Sequence, residues 1–511
     1  MSTAAAWFRL VRAGWIMTRE GVLAALPGDQ LAGLPRAGWR VARLLARREA
    51  RGSGRSQRLS RAVDRLGPSY VKLGQFLATR PDVVGTEIAM DLANLQDRMA
   101  TFPTRDAVEE IEASLGRPIG DLYARFDEPV AAASIAQVHP AAILRDGVER
   151  RVAVKVIRPG VRRRFLADLE SYFLAARLQE RFIPSARRLR PVEVTRTLAQ
   201  TTKIEMDLRL EAAALSELAE NTKDDPGFRV PWVDWERTGR DVVTMEWVDG
   251  VKMSDVEGLR AAGHDLEKLA QVLIQSFLRH TLRDGFFHAD MHPGNLFVEA
   301  DGTIVAVDLG ISGRLGRKER RFLAEILYGF IVRDYRRVAE VHFEAGYVPA
   351  DRDIDEFSRA LRSVGEPIFG MDATRISMAK LLNYLFEVTE RFGMQTRTEL
   401  ILLQRTMVVV EGVSRSLNPS INIWKVARPV VEDYIRSNLG PAALARDLAR
   451  TAKVLARFGP HLPGAVEAAL TRTRDGDAYR IEPRLPEVRA IWFISGVAVT
   501  AAVAAALAFF A

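Results

Sequence analysis

One stretch limits what this chain can fold into more than any other: FFHADMHPGNLFV at 286–298, followed at 308 by Asp-Leu-Gly. Asp290 and Asn295 stand five apart in a segment whose Pro293 and Gly294 exclude regular helix. Asp308 ends the apolar run TIVAV, where a short strand stops. A carboxylate, a carboxamide five residues on and a second carboxylate at the next strand end form the pattern of a phosphotransferase site. The chemistry needs these groups, because hard oxygen ligands bring Mg2+ to a triphosphate and a carboxylate orients the attacking hydroxyl or water. Asp290 is then the catalytic candidate, and Asn295 and Asp308 the metal ligands. His288 and His292 invite a metal of their own. With no Cys and no third histidine nearby, oxygen-ligated magnesium is favoured over zinc.

Such a site needs a lysine against the phosphates and a carboxylate to hold that lysine. Lys155 ends the β-branched run of RRVAVKVIRP, and a strand lysine taken alone is ordinarily a solvated one. A stretch free of Gly and Pro from Val192 to Glu220 predicts one helix carrying Glu205, Asp207 and Glu211. Glu205 and Glu211 project about 240° apart on such a helix, so they serve different partners. The wider texture predicts helices over Val161–Phe182, Arg105–Leu115, Leu92–Ala100 and the SYVKLGQFLATR segment. Strand-like runs lie near Val130, at Phe228–Trp235 and at Asp241–Trp247, with Arg145-Asp146-Gly147 as a turn. From Leu266 the chain reads as helical, except for strands at Asn295–Val298 and Thr303–Val307. The fold class is therefore α+β: a bilobal, protein-kinase-like fold with a helical extension before it.

The two ends carry a different message. Residues 490–511, AIWFISGVAVTAAVAAALAFFA, contain no charge and as a helix would reach ~33 Å, enough to cross a bilayer core. Arg484 and Arg489 just before it favour a cytoplasmic catalytic domain at the inner membrane. Between Arg36 and Arg65 ten arginines face only Glu49 and Asp64, which suits an anionic membrane better than nucleic acid, since Trp39 alone offers stacking. Residues 1–26, broken by Arg9, Arg12, Arg19 and Glu20, make a poor signal peptide and fit an amphipathic surface helix. The predicted organisation is a basic helical region at 1–60, a helical extension at 61–118, an N-lobe at 119–249, a helical C-lobe at 250–440, a linker at 441–489 and a transmembrane helix at 490–511.

Four motifs resemble those of the UbiB family of atypical kinase-like proteins: KLGQ at Lys72–Gln75, AAASIAQVH at 131–139, EMD at Glu205–Asp207, and HADMHPGN followed by DLG. The resemblance implies a helical extension folded over an ATP site, with Lys72 and Gln75 pointing inward and Glu205 and Asp207 as its partners. Glu211 is then left for Lys155. It also implies nucleotide contacts along Val130, Ala131, Ala132, Ala133, Ser134, Ile135, Ala136, Gln137 and Val138, and at Glu246 and Val248. Alanines replace the glycines of an ordinary phosphate loop and disfavour its positive φ angles, while Ser134 offers a hydroxyl. After Asp308 the chain returns to helix almost at once and leaves little room for a peptide platform.

The expectation is an ATP- and Mg2+-dependent atypical kinase or ATPase supporting ubiquinone biosynthesis. Its expected partners are membrane lipids, prenylated quinone precursors and other ubiquinone-biosynthesis proteins, with no nucleic acid. The alternatives are a true protein kinase and a nucleotide-gated scaffold.

Overall fold

The computed structural model describes residues 3–22, 54–78, 99–182, 190–370 and 398–440, with shorter pieces at 40–47, 91–92 and 391–394. The chain divides into one unit of residues 1–435 and a second of 436–511. Of the second, little beyond the last turn of one helix is described. The expected linker at 441–489 and transmembrane helix at 490–511 lie outside the described residues, as does most of the helix expected at Leu92–Ala100. Among the described residues no helix is long and apolar enough to cross a membrane.

The N-terminal layer is helical: α1 (Thr3–Arg19), α2 (Arg55–Leu66) and α3 (Pro68–Ala78), then α4 (Thr104–Leu115). Gly67 separates α2 from α3 at φ +98°, a conformation that L side chains resist. Strands β1 (Arg125–Phe126), β2 (Ala131–Ala132), β3 (Ala136–Arg145) and β4 (Val148–Ile157) follow. Asp146 and Gly147 both take positive φ between β3 and β4, the turn that matches the twist of a two-residue hairpin. Next come α5 (Val161–Phe182), α6 (Pro191–Glu205) and α7 (Leu208–Thr222), with short strands β5 (Phe228–Arg229), β6 (Val233–Asp234), β7 (Val242–Glu246) and β8 (Val251–Lys252).

One antiparallel sheet runs β1-β3-β4-β7-β6, with β2 also on β3. Alternation gives this sheet two different faces. Val152, Val154, Val156 and Val242 are fully buried with Ala107 and Ile111 of α4. Each such side chain contributes about 1.5–3 kcal/mol by leaving water. The opposite face carries Ala153, Lys155, Val243 and Met245, whose registers place them side by side.

The single helix expected at Val192–Glu220 is two helices. Asp207 adopts extended φ/ψ and its side chain accepts from the Arg209 N–H, so it caps α7 and ends what periodicity alone would continue. Glu205 and Glu211 do serve different partners, but because they sit on different helices.

The extension is held by α5. Tyr70 of α3 meets Tyr172 edge-on at 5.2 Å, and Arg9 of α1 donates to Ser171 at 3.0 Å and Glu170 at 3.2 Å. Buried Glu20 is paired by Arg47 and Arg65, two of the arginines of the basic stretch.

The C-lobe begins with α8 (Leu266–Arg279) and a π-turn at His280–Asp284, continues through β9 (Phe286–His288), β10 (Leu296–Val298), β11 (Ile304–Ala306) and β12 (Ser312–Arg314), and then becomes helical. Its later helices are α9 (Arg317–Val332), α10 (Tyr335–Glu344), α11 (Ile354–Gly370), α12 (Thr398–Leu417) and α13 (Ile423–Leu439). Leu273, Phe277 and Leu278 of α8 share a core with Leu403, Val410 and Val413 of α12. Two strands in this lobe have no counterpart in the sequence expectation. β9 and β12 pair as a ribbon, in which a Cβ on Gly313 would lie 2.2 Å from the Phe287 ring. The run expected at Phe228–Trp235 is also divided, with β5 joining β11 in parallel while β6 joins β7.

Candidate functional site

Lys155 lies mid-sheet, opposite Val138 on one side and Val243 on the other, and projects from the face away from α4. Its ammonium donates to both oxygens of Glu211, at 2.8 and 3.0 Å, and to Oδ1 of Asp308 at 2.8 Å. Glu211 is in the first turn of α7 and buried. Burial opposes charge on Lys155, but the two carboxylates outweigh it and hold the ammonium well above the usual lysine range. Glu211, sealed in the same place with Asp308 close by, is pushed up to about 7 in spite of Lys155. Asp308 goes the other way. Burial works to raise it, yet the charge and hydrogen bond of Lys155, with Lys72 adding positive potential, hold it at about 2.

Asp308 has φ +62°, a left-handed conformation uncommon outside glycine and typical of strained functional positions. It follows the β10–β11 hairpin, where the Val307 N–H donates to the Asn295 carbonyl at 2.9 Å. Asn295 and Asp308 therefore stand at the open ends of two paired strands. Asn295 commits Nδ2 to the backbone carbonyl of Asp290 at 3.1 Å and to its carboxylate at 3.3 Å, so its amide oxygen is the atom it could offer a metal. Among the described residues no group of three or more His, Cys, Asp and Glu side chains gathers around a metal position. Two oxygen donors suit Mg2+, which takes its remaining ligands from water and phosphate.

His288 fixes the loop between β9 and β10. The Asp290 N–H donates to its Nδ1 at 3.1 Å, so the proton sits on Nε2 and is given to the Val307 carbonyl at 3.2 Å. Full burial lowers its pKa and keeps the ring neutral. One imidazole thus joins the Asp290 backbone to the strand end that carries Asp308. Its role here is structural. From below, Thr406 of α12 donates to the Ala289 carbonyl at 3.1 Å.

The extension reaches the same site. Lys72 of α3 forms a 2.5 Å ion pair with Glu205 at the end of α6, and both side chains are largely buried. Gln75, one turn on, is half-buried. Asp207 does not join them. It caps α7 and grips its own Arg209 at 2.6 and 2.9 Å, so the expected partnership of Asp207 with the extension is replaced by a local one.

Register and burial correct the expectation at four further positions. Gln137 and Ala132 pair with one another and lie on the α4 face, away from Lys155. Gln137 is fully buried, exchanges hydrogen bonds with the Phe102 backbone at 2.9 and 3.2 Å, and donates to His139 at 2.8 Å. It anchors the hairpin and does not face the cleft. Ser134 is fully buried too, so its hydroxyl meets a phosphate only if the alanine loop opens. Glu246 also points to the α4 side, where it receives Arg229 at 2.8 and 3.0 Å while Arg229 reaches Glu299 after β10 at 2.6 and 2.9 Å. Ala131, Ala136 and Val138 do share the face of Lys155. Val130, Ala133 and Ile135 border these strands, and half-buried Val248 follows β7.

Sequence reasoning missed Met245 and Ala153, which flank Lys155 on the cleft face, and the Arg229 bridge between β7 and β10. The first two carry a readable signal once pairing is known. The arginine carries none.

The ABC1 atypical kinase-like domain model matches residues 94–342, and the UbiB helical domain model matches 361–422. A Marinobacter nauticus protein named "Probable protein kinase UbiB" is 40% identical over 425 residues, covering 82% of this chain and 77% of that protein. A protein of the same name from Aeromonas hydrophila is 41% identical over 428 residues, covering 83% and 78%. A solved structure, of an Rv3197–erythromycin complex from Mycobacterium tuberculosis, covers 73% of this chain and 95% of its own at 25% identity, with a TM-score of 0.48. On the extent of the two curated relatives and the two domain matches, the chain belongs to the UbiB family of ABC1 atypical kinase-like, phosphotransferase-like enzymes.

Proposed function

We propose that this chain is an ATP-binding, Mg2+-dependent atypical kinase or ATPase that supports ubiquinone biosynthesis at a membrane, acting on or coupled to prenylated quinone precursors. The observation that carries the reading is the ammonium of Lys155 held between Glu211 and Asp308, beside Asp290 and Asn295. Lys155 would meet nucleotide phosphates, and Asn295 and Asp308 would hold Mg2+. Asp290 would orient the attacking hydroxyl or water. When bound, the metal neutralises charge developing on the transferred phosphoryl group. The ubiquinone connection rests on family membership, and the membrane on the apolar run at 490–511.

Protein phosphorylation is the second reading, carried by the name of the relatives. Two features weigh against it. α9 starts at Arg317, so residues 309–316 and their β12 ribbon are all that separate Asp308 from the next helix. The Lys72–Glu205 pair also ties the extension to the end of α6, near enough for the Lys72 charge to act on Asp308.

The test is phosphate release by the purified full chain with Mg2+-ATP, beside Asp290→Asn and Lys155→Ala. Both variants are expected to lose turnover, and turnover unchanged in both would falsify the assignment. Repeating it with vesicles containing a prenylated phenol, followed by mass analysis of the lipid, separates lipid phosphorylation from bare hydrolysis. Label appearing on a partner polypeptide would favour the second reading.

A further inference from the structure

α1 is built the wrong way round for a helix that only packs on a protein. Its fully buried residues are small, Ala6 and Ala13 at 5% and 8% exposure, with Ile16 and Met17 half-buried against the core beside them. Its outward side is large and apolar: Trp7, Phe8, Val11 and Trp15 are 47%, 72%, 65% and 53% exposed. Trp7, Val11 and Trp15 recur at i, i+4 and i+8, so they form one stripe along the helix, with Phe8 at its edge. The piece at 40–47 lies against the end of this helix, since Arg19 donates to the Leu45 carbonyl at 3.3 Å and the Arg47 N–H donates to the Arg19 carbonyl at 2.9 Å. It adds exposed Val41 and Leu44. An apolar outer face of this kind marks a surface that another phase or partner covers.

Charge decides what covers it. Residues 1–47 hold seven arginines against Glu20 and Asp29 alone, and Glu20 is buried and paired by Arg47 and Arg65. Arg12 and Arg19 flank the stripe on α1, and Arg40 and Arg43 lie among the exposed residues beside it. Exposed tryptophans ringed by arginine suit the boundary between acyl chains and anionic headgroups. A second copy docking through this same face would bring like charges together.

We propose that the outer face of α1, with Val41 and Leu44, is a docking surface for an anionic phospholipid bilayer. It rests on the membrane reading of the proposed function and adds a second contact at the opposite end of the sequence from the apolar run. The contact would lay the extension that carries Lys72 beside the lipid.

The absence of Cys permits a direct test, because one introduced cysteine is the only labelling site. Gly14 is exposed on α1 with no atom within 4 Å of an added Cβ, and Gly120, equally open, serves as control. Full-length Gly14→Cys and Gly120→Cys would carry an environment-sensitive fluorophore and meet vesicles of phosphatidylcholine with or without phosphatidylglycerol. The expected result is a blue shift at residue 14, quenched by brominated acyl chains, only with phosphatidylglycerol and absent at residue 120. Trp7→Ser with Trp15→Ser should remove that shift while the chain still sediments with vesicles. If the chain sediments but the label at 14 stays in water, the docking face is wrong and the membrane reading stands. Failure to sediment with any vesicle removes both. An equal shift on neutral vesicles, or a concentration-dependent shift without vesicles, overturns the anionic lipid as occupant. If the serine variant misfolds, the comparison of residues 14 and 120 decides alone.

Discussion

Lys72 of α3 and Glu205 at the end of α6 form a 2.5 Å ion pair that fastens the N-terminal extension beside the lysine–carboxylate cluster. Removing one partner strands a largely buried charge. Lys72→Ala should therefore cost about 1–3 kcal/mol locally and speed hydrogen exchange along residues 68–78. The reciprocal pair Lys72→Glu with Glu205→Lys should recover part of that protection. Unchanged exchange in Lys72→Ala would show that the pair does not hold the extension.

Glu211 orients Lys155 through both carboxylate oxygens. Glu211→Gln keeps the shape and removes the charge, leaving Asp308 to hold the ammonium alone. We expect kcat/KM for ATP to fall roughly 10²-fold, the scale of a misplaced catalytic group, with little change in Tm. Activity within twofold of wild type would mean that Lys155 does not need this partner.

Asp308 offers a pH test with a definite sign. Its carboxyl is held at about 2, below the ordinary 3.8, so the Lys155 contact contributes stability that is fully present above about pH 4 and is lost as pH falls through 2. Infrared titration of 13C-labelled aspartate, assigned by loss of the band in Asp308→Asn, should show it still ionised at pH 3. Lys155→Met should move its midpoint upward, because the charge and hydrogen bond that hold it down are then gone. A wild-type midpoint at or above 4 contradicts the arrangement.

Gln137 tests the division of the sheet into two faces. Gln137→Leu leaves the buried Phe102 N–H without its acceptor and should cost about 1–3 kcal/mol, read as a lower Tm. The KM for ATP should not change. A selective rise in KM with Tm intact would return Gln137 to the cleft.

Much of the site was legible because phosphate chemistry restricts residue type and order. Asp290, Asn295, Asp308, Lys155 and Glu211 stand together, as their spacing and the family motifs imply. What stayed hidden depended on information that a linear pattern does not hold. Asp207 looks like a third helical carboxylate until its own backbone turns extended and it becomes a cap. Gln137 sits among residues of the cleft, and only the pairing Val138↔Lys155 shows that its neighbour, and not Gln137 itself, shares the lysine's face. β9 and β12 are too short to show a period and exist because they pair with each other. Arg229 gives no local sign that it will join Glu246 to Glu299.

The 2.8 Å contact between Lys155 and Asp308 has a consequence for the order in which ligands arrive. In this conformation a lysine already occupies one oxygen of the carboxylate that a magnesium ion would claim. A bare divalent cation must therefore evict a neighbour of its own sign, and it gains little by doing so. A cation that comes chelated to a triphosphate brings the anion to which Lys155 can turn instead. Under the proposed Mg2+-nucleotide reading the side chain would act as a placeholder, keeping the acidic pair from repelling itself apart and yielding its position when metal and nucleotide enter as one particle.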